Sequence, residues 1–228
     1  MPTRPRNTDL VKSTLSEQVM QILTERISDA TYPPGSRIDI EAIKKEYGIS
    51  HIPVRDALHK LSEQGLITVV PRIGYFVVQF TREEVEDLLH VRSLLELSAL
   101  YRDLKNIDRN TLRFLANEYR TCKLRPDRHK ADAKRLYELG EILHRDVIIR
   151  NAASPLTEKL YASLLTKIRI AARIRIADRE DIDEHMKIIR ALLQENGPAA
   201  RKALNEHIAA VRKRSVSRLK EPASPSRG

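Results

Sequence analysis

From residue 83 to residue 219 the apolar residues recur at a spacing of three or four, which is the period of an amphipathic helix. The period is clearest around Leu136, Leu139, Leu143 and Val147, and again around Ile188, Ile189, Leu192 and Leu193. Turn-forming residues interrupt it near positions 106–108, 126, 154–155, 177–178 and 197–198. We therefore predict six or seven helices, packed as an all-α antiparallel helical bundle.

Residues 1–80 have a different pattern. Four of the seven glycines fall between residues 35 and 74, so this part of the chain is expected to be compact and rich in turns. The runs 66–70 and 75–80 are rich in β-branched and aromatic residues, and they flank Pro71-Arg72-Ile73-Gly74. This arrangement predicts a β-hairpin. Before it, apolar residues at helical spacing predict a helix over residues 14–29.

Two further short helices are predicted between that first helix and the hairpin. One spans residues 40–47, with Asp39 as its N-cap and Gly48 at its end, and the other runs from Ser50 to residue 64. Two short helices joined by a glycine turn form a helix-turn-helix, and the hairpin makes it winged. In such a unit the N-terminus of the second helix enters the major groove of DNA.

The predicted DNA contacts therefore lie on the first turns of that helix and at the tip of the hairpin. Arg55 is suited to a bidentate contact with guanine or phosphate, and Arg72 to the minor groove or phosphates. The other members of the set on the helix are Ser50, His51, Ile52 and Pro53.

Composition adds little to this picture. The 228 residues are 41% hydrophobic and 32% charged, which is enough for a core in one large or two small domains. The net charge of +10 suggests a nucleic-acid partner, but residues 1–80 hold 10 basic and 9 acidic residues. The case for DNA therefore depends on motif geometry. We predict domains over 1–80 and 81–220 and a disordered tail over 221–228.

Other classes of protein are disfavoured. No apolar run reaches 18 residues and the N-terminus lacks a signal-peptide stretch, so we expect a cytoplasmic protein with no membrane segment. The single cysteine, Cys122, excludes an internal disulfide framework and a cysteine-based zinc ribbon.

Histidine placement is the main chemical signal in the second part. His144, His185 and His207 lie on three predicted helices, each within an apolar stretch. If they converge, they offer a facial site for Zn²⁺ or Ni²⁺; the alternative is a set of hydrogen-bonded core histidines. Arginines nearby would attract a small carboxylate effector, or else they form solvated or ion-paired helix faces. The candidates are Arg92, Arg169 and Arg173.

Four segments of the first part resemble the DNA-binding domain of the GntR family of bacterial transcription regulators. They are residues 32–38, 47–58, 61–67 and 71–77, which follow the family patterns P-G-x-x-L, G-V-S-R-x-P-V-R-E-A-L, L-x-x-x-G-L and P-x-x-G. The last pattern adds Gly74 to the predicted contact set. The resemblance covers about residues 12–80. His51 stands where the family usually has arginine, which puts operator preference or affinity in question.

A looser resemblance covers about residues 82–218. Residues 88–96 are similar to the opening helix, R-x-x-L-E, of the FadR-type (FCD) effector domain, and residues 184–192 and 203–208 to its closing helices. In metal-binding members, the resemblance implies three histidines and an aspartate four residues before the first. Here that position is Gly140, and Glu141 is the candidate substitute because it can share a helix face with His144.

Three functions are compatible with these features. The first is a ligand-responsive regulator, more commonly a repressor in the resembling family, that binds a pseudo-palindromic operator as a homodimer. The second is a helical metal-dependent enzyme with an accessory winged helix, which is disfavoured because no general base beyond Glu141 accompanies the histidines. The third is an architectural protein that binds DNA without regard to sequence.

Overall fold

The computed structural model describes residues 13–124, 130–173 and 179–219, and for 130–133, 172–173 and 179–180 it describes the backbone alone. The chain forms two compact units that divide between Gln79 and Phe80. Predictions for the tail, for the breaks near residues 126 and 177–178, and for the side chain of Arg173 lie outside the described part.

The first unit is a winged helix-turn-helix, as predicted. It contains α1 (Leu15–Ser28), α2 (Ile40–Tyr47), α3 (His51–Glu63) and the strands β1 (Arg37–Ile38), β2 (Ile67–Val70) and β3 (Gly74–Val77). The strands form one antiparallel sheet in the order β1-β3-β2. Strand β1, which pairs Arg37 with Phe76, was not predicted, because two residues are too few to show a period.

Caps at the helix ends explain why the helices of this unit begin and end where they do. Thr14 and Glu17 form a reciprocal capping box at the start of α1, which satisfies two backbone N–H groups. Asp39 accepts hydrogen bonds from the first turn of α2 at 2.9 and 3.1 Å. Gly48 ends α2 at φ +63°, the left-handed conformation that glycine adopts readily. The α1 core residues, including Leu23 and Ile27, are buried in the unit where α1 packs on α3.

The second unit is all-helical. Its described α-helices are α4 (Arg82–Ala99), α5 (Arg109–Leu124), α6 (Lys130–Glu141), α7 (Pro155–Arg173), α8 (Arg179–Leu193) and α9 (Gly197–Arg218). Helix α8 packs on α9 and α5, and α4 packs on α9 and α7. Breaks near residues 106–108, 154–155 and 197–198 are confirmed.

One feature of this unit departs from the predicted helical pattern. Residues Ile142–Ile149 continue from α6 as a π-helical segment, in which hydrogen bonds span five residues instead of four. The sequence pattern does not distinguish this winding from an α-helix. The segment carries His144 and three fully or nearly buried side chains, Leu143, Ile148 and Ile149.

Candidate DNA-binding face and histidine cluster

Helix α3 separates a core face from a solvent face. Its core face consists of Val54, Ala57, Leu58 and Leu61, all of which are fully buried. Ser50, His51, Ile52 and Arg55 are exposed on the first turns, and Pro53 is half-buried. Ile52 is 71% exposed.

His51, the position that departs from the family pattern, is held by the neighbouring helix. Its Nε2 lies 2.6 Å from Oε1 of Glu41 on α2, and the other oxygen of Glu41 accepts a hydrogen bond from Lys44 at 2.7 Å. The imidazole is therefore tied to α2, whereas Arg55 makes no ion pair with any described residue.

The wing is held by its backbone conformation and by contacts with α3. Arg72 lies in the β2–β3 turn at φ +65°, and Gly74 follows at φ +140°. Glycine at position 74 is favoured by its backbone conformation. A Cβ atom there would also lie 3.2 Å from Nε of Arg37, so the Arg37 side chain would have to shift by a few tenths of an ångström. The hydroxyl of Tyr75 lies 3.3 Å from Nε2 of His59, a contact that links the wing to α3.

The three predicted histidines come together in the second unit. His144 lies on the π-helical segment, His185 on α8 and His207 on α9, and all three are buried. Nε2 of His144 lies 3.1 Å from Nε2 of His185, and one nitrogen of each of the three rings lies within 4.8 Å of the others.

Two carboxylates orient the rings of this cluster. Oε2 of Glu96 lies 2.7 Å from Nδ1 of His144, and Oε2 of Glu184 lies 2.7 Å from Nδ1 of His207. When Nδ1–H donates a hydrogen bond to a carboxylate, Nε2 keeps its lone pair for a metal ion. Neither glutamate was predicted to act at the site, although Glu96 ends the quoted R-x-x-L-E motif.

Glu96 is the centre of a buried network. Arg92 donates Nε–H to its Oε1 at 2.7 Å, and the Tyr161 hydroxyl donates to the same oxygen at 2.9 Å. Burial opposes ionisation of Glu96, but the charges of Arg92 and His144 outweigh it and hold the pKa of this carboxyl well below its ordinary value. Glu96 is therefore a carboxylate at neutral pH.

Two of the three predicted effector arginines, Arg92 and Arg169, are already paired. Arg92 is buried against Glu96, and Arg169 donates Nε–H to Glu141 at 3.1 Å. Arg145 also donates to Glu141, at 2.8 Å. The expectation that Glu141 replaces the missing aspartate is therefore wrong: its carboxylate is taken by two arginines and is not among the described groups that gather around the histidines.

Gly140, a buried residue in the last turn of α6, lies beside the histidines. A Cβ atom there would lie 3.6 Å from Nε2 of His185 and 3.8 Å from the hydroxyl oxygen of Tyr119. The Tyr119 ring stacks on His185, with centroids 5.2 Å apart. Burial raises the pKa of the Tyr119 hydroxyl well above its ordinary value, so the hydroxyl keeps its proton.

Two acidic residues, Asp181 and Glu184, lie next to the histidine cluster. Asp181 and Glu184 lie within 4.8 Å of a ring nitrogen of His207. Both accept hydrogen bonds from Nη2 of Arg214, at 3.0 Å and 2.7 Å. Because the Arg214 guanidinium pairs with both carboxylates and balances one of their two charges, we interpret these acids as an ion-paired support for His207.

The donor set at the histidines fits a divalent metal ion. Three imidazoles converge, two of them have a carboxylate on Nδ1, and such outer carboxylates are typical of metal-bound histidines. Imidazole nitrogen is a preferred ligand of Zn²⁺ and Ni²⁺.

Comparison with known proteins bears on both units. Residues 15–77 match the family described as "Bacterial regulatory proteins, gntR family", and residues 87–210 match the FCD domain. The chain belongs to the GntR family and carries an FCD domain. Family membership and the names of its relatives identify this GntR protein as a transcriptional regulator rather than an enzyme.

Relatives of this GntR regulator cover almost its whole length. The HTH-type transcriptional repressor RspR of Escherichia coli (strain K12) is 23% identical over 98% of this chain and 94% of its own. The Uxu operon regulator of Haemophilus influenzae is 26% identical over 91% of this chain and 84% of its own.

Solved structures agree on the fold of this GntR regulator. A transcriptional regulator GntR from Rhodococcus sp. RHA1 has a TM-score of 0.74 at 19% identity, covering 89% of this chain and 97% of its own. The E. coli protein McbR/YncC has a TM-score of 0.73, also at 19% identity, covering 91% and 99%. Across the described ranges, no helix combines the length and the apolar character needed to cross a bilayer.

Proposed function

We propose that this regulator is a repressor that binds a pseudo-palindromic operator as a homodimer and responds to a small carboxylate effector. Residues 1–80 would bind DNA, and residues 81–220 would bind the effector with a divalent metal and form the dimer. The observation that supports this most strongly is the combination of an exposed recognition helix with a buried, carboxylate-oriented histidine cluster in one regulator. Because operator DNA lies in the cytoplasm of a bacterium, we expect the protein there.

DNA recognition would use the exposed first turns of α3 and the wing. Arg55 is exposed and, among the described residues, makes no ion pair, so its guanidinium is available for a guanine edge or a phosphate. Ile52 suits an apolar contact with a thymine methyl group. Ser50 leaves the first N–H groups of α3 without a side-chain cap, which favours a phosphate at this helix end.

Binding of the purified protein to DNA upstream of its own gene tests this part. We expect Arg55→Ala to lower operator affinity about 10- to 100-fold, since one bidentate base contact is worth about that much. Arg113→Ala, at an exposed arginine on α5, is the matched control and should bind normally. Full affinity in Arg55→Ala would exclude α3 as the recognition helix, and equal binding to unrelated DNA would favour the architectural alternative.

A homodimer is supported by exposed apolar residues on two helices that pack together. Val91 and Leu94 on α4 are 42% and 56% exposed, and Leu156 and Leu160 on α7 are 66% and 47% exposed. A second copy of the chain is the occupant we propose for this surface, because two recognition helices are needed to read a pseudo-palindrome. Leu94→Glu should convert the dimer to monomers in sedimentation velocity. Phe114→Glu, at an exposed apolar residue on α5, should leave the dimer intact.

The metal part of the proposal rests on His144, His185 and His207 as ligands. A bound divalent ion would supply a concentrated positive charge, since neutral imidazoles leave that charge uncompensated, and this favours an anionic effector. Elemental analysis should give about one metal ion per chain after supplementation with Zn²⁺ or Ni²⁺. His144→Ala should lose it, whereas His90→Ala, at an exposed position on α4, should keep it. Wild-type protein without metal would identify the cluster as part of the core.

Effector binding would shift the affinity of the protein for its operator, by about 1–3 kcal/mol if the coupling is typical. A role for Arg92, Arg169 and Arg173 in direct contact with the effector stays a prediction. Direct contact with the effector would require Arg92 to be released from Glu96 and Arg169 from Glu141.

A further inference from the structure

His51 occupies a position on the recognition helix from which it can contact a base. It is the first residue of α3, and its side chain is 50% exposed to solvent. Arg55 lies four residues further along, so the two side chains share one face of the helix. A DNA contact made by Arg55 would therefore bring His51 close to a base near the one that Arg55 contacts.

Glu41 determines which ring nitrogen of His51 carries a hydrogen. Its Oε1 lies 2.6 Å from Nε2 of His51, and its Oε2 accepts a hydrogen bond from Lys44 at 2.7 Å. The hydrogen bond with Lys44, together with the contact with His51, lowers the pKa of Glu41, so this side chain is a carboxylate at neutral pH. An ionised carboxylate only accepts hydrogen bonds, so Nε2 is the ring nitrogen that carries the hydrogen.

The other ring nitrogen of His51 is then an acceptor. A neutral imidazole has one N–H group, so when Nε2 carries the hydrogen, Nδ1 keeps its lone pair. No residue in the described part of the chain donates a hydrogen bond to Nδ1 of His51. An arginine side chain at position 51 would present donors alone. Position 51 of this chain therefore offers DNA an acceptor where arginine would offer donors.

The four bases differ in how their major-groove edges meet such an acceptor. Guanine presents the acceptors N7 and O6, and thymine presents the acceptor O4 and a methyl group, so neither can donate to Nδ1. Adenine presents its N6 donor beside the acceptor N7, whose lone pair would repel that of Nδ1. Cytosine presents its N4 amino donor alone, so cytosine is the base that fits best.

We propose that His51 is a specificity-determining residue that selects a cytosine near the base contacted by Arg55, and that Glu41 is the positioning residue that engages Nε2 and leaves Nδ1 as the acceptor. This inference rests on the proposed use of α3 as the recognition helix. It adds the identity of one base in each half-site and a residue of α2 that acts through His51.

The first experiment examines the full chain without DNA. Nitrogen-15 NMR of histidine-labelled protein at about pH 8 distinguishes a ring nitrogen that bears a hydrogen from one that does not, and His51→Arg identifies the signals of His51 by their loss. We expect wild-type His51 to carry its hydrogen on Nε2 and to have a bare Nδ1. A hydrogen on Nδ1, or one on each nitrogen, would overturn the inference whatever the DNA results are.

The second experiment selects binding sites at about pH 8 from duplexes with a randomised core of about 20 base pairs, which is long enough for two half-sites. At one position of each half-site, wild type should prefer cytosine to guanine by about 10-fold or more, since a wrong base costs about that much. His51→Arg should prefer guanine at the same position, because arginine donates to O6 and N7.

Two further variants in the same selection test the role of Glu41. Glu41→Ala should accept cytosine and guanine about equally at that position, because the ring of His51 is then free to turn its Nε2–H toward the base. Glu63→Ala, at an exposed glutamate at the end of α3, is the matched control and should select the wild-type sequence. Circular dichroism checks that all the variants are folded.

The outcomes separate this inference from the function on which it rests. If His51→Arg selects the same sequence as wild type, or if Glu41→Ala keeps the full preference for cytosine, the inference is wrong while α3 remains the recognition helix. If Arg55→Ala binds the selected wild-type site with full affinity, the recognition-helix assignment fails and this inference fails with it. A wild-type protein that selects no defined sequence would overturn both.

Discussion

The two units present their candidate functional residues in opposite ways. In the first, Ser50 to Arg55 follow one another along a single helix and, apart from Pro53 and the buried Val54, are exposed to solvent. In the second, three histidines come from the π-helical segment and from α8 and α9, and all are buried. The proposed DNA-binding surface is thus encoded locally, whereas the proposed ligand site needs residues far apart in sequence.

The arginines show the same difference. Among the residues that the structure describes, Arg55 and Arg72 make no ion pair, while Arg92 and Arg169 are paired with Glu96 and Glu141. The two arginines proposed to contact DNA are exposed to water. Arg92 is buried and must be paired, because an unpaired buried charge is strongly destabilising.

Glu96→Gln is expected to have the largest effect of the variants that test the difference between buried and exposed charges. Removing the charge leaves Arg92 buried without its ionic partner, so we expect a loss of about 3–5 kcal/mol in the free energy of unfolding, measured with urea. In protein that remains folded, metal affinity should fall about 10- to 100-fold because His144 loses its carboxylate. Glu86→Gln, an exposed position on the same helix, should change neither quantity; similar stability of the two variants would show that the buried network matters no more than the surface.

A smaller effect is expected from Gly74→Ala in the wing. The residue has φ +140°, and the added methyl group would crowd Nε of Arg37 at 3.2 Å, so we expect a loss of about 1–3 kcal/mol in unfolding free energy. Gly48→Ala is a milder comparison, since φ +63° is a left-handed conformation that alanine tolerates better, and nothing lies within 4 Å of its Cβ position. Equal losses in the two variants would mean that neither the more extreme φ nor the contact with Arg37 adds to the cost at position 74.

The smallest effect is expected from Arg72→Ala. If Arg72 contacts phosphate, its removal should weaken binding to operator and unrelated DNA alike and reduce the slope of log affinity against log salt by about 1. Fluorescence anisotropy at four or five salt concentrations measures the slope. An unchanged slope with lower specificity would instead assign Arg72 to base contacts.

Elements defined by local chemistry could be predicted from the sequence. Helix α2 spans residues 40–47 as predicted, because Asp39 caps it and Gly48 ends it through properties of single residues. The same holds for the hairpin around Arg72. The meeting of His144, His185 and His207 was a hypothesis based on helix faces, and the structure brings them together.

What could not be predicted depends on winding and on tertiary packing. Glu141 was expected beside His144 because residues three apart share a face of an α-helix, but His144 lies in a π-helical segment where that spacing does not apply. The partnerships of Glu96 and Glu184 with the histidines join residues 48 and 23 positions apart, and no periodic pattern encodes such pairs. The stacking of Tyr119 on His185 was not predicted for the same reason.

The π-helical segment also affects how this chain can be compared with its relatives. A π-helical turn holds more residues than an α-helical turn, so a relative whose helix is α throughout would reach the same position with a shorter segment. An alignment that allows no gap between residues 142 and 149 would then pair side chains that point in different directions. For residues 142–149, equivalent positions in two proteins are therefore better identified by structural superposition than by sequence alignment.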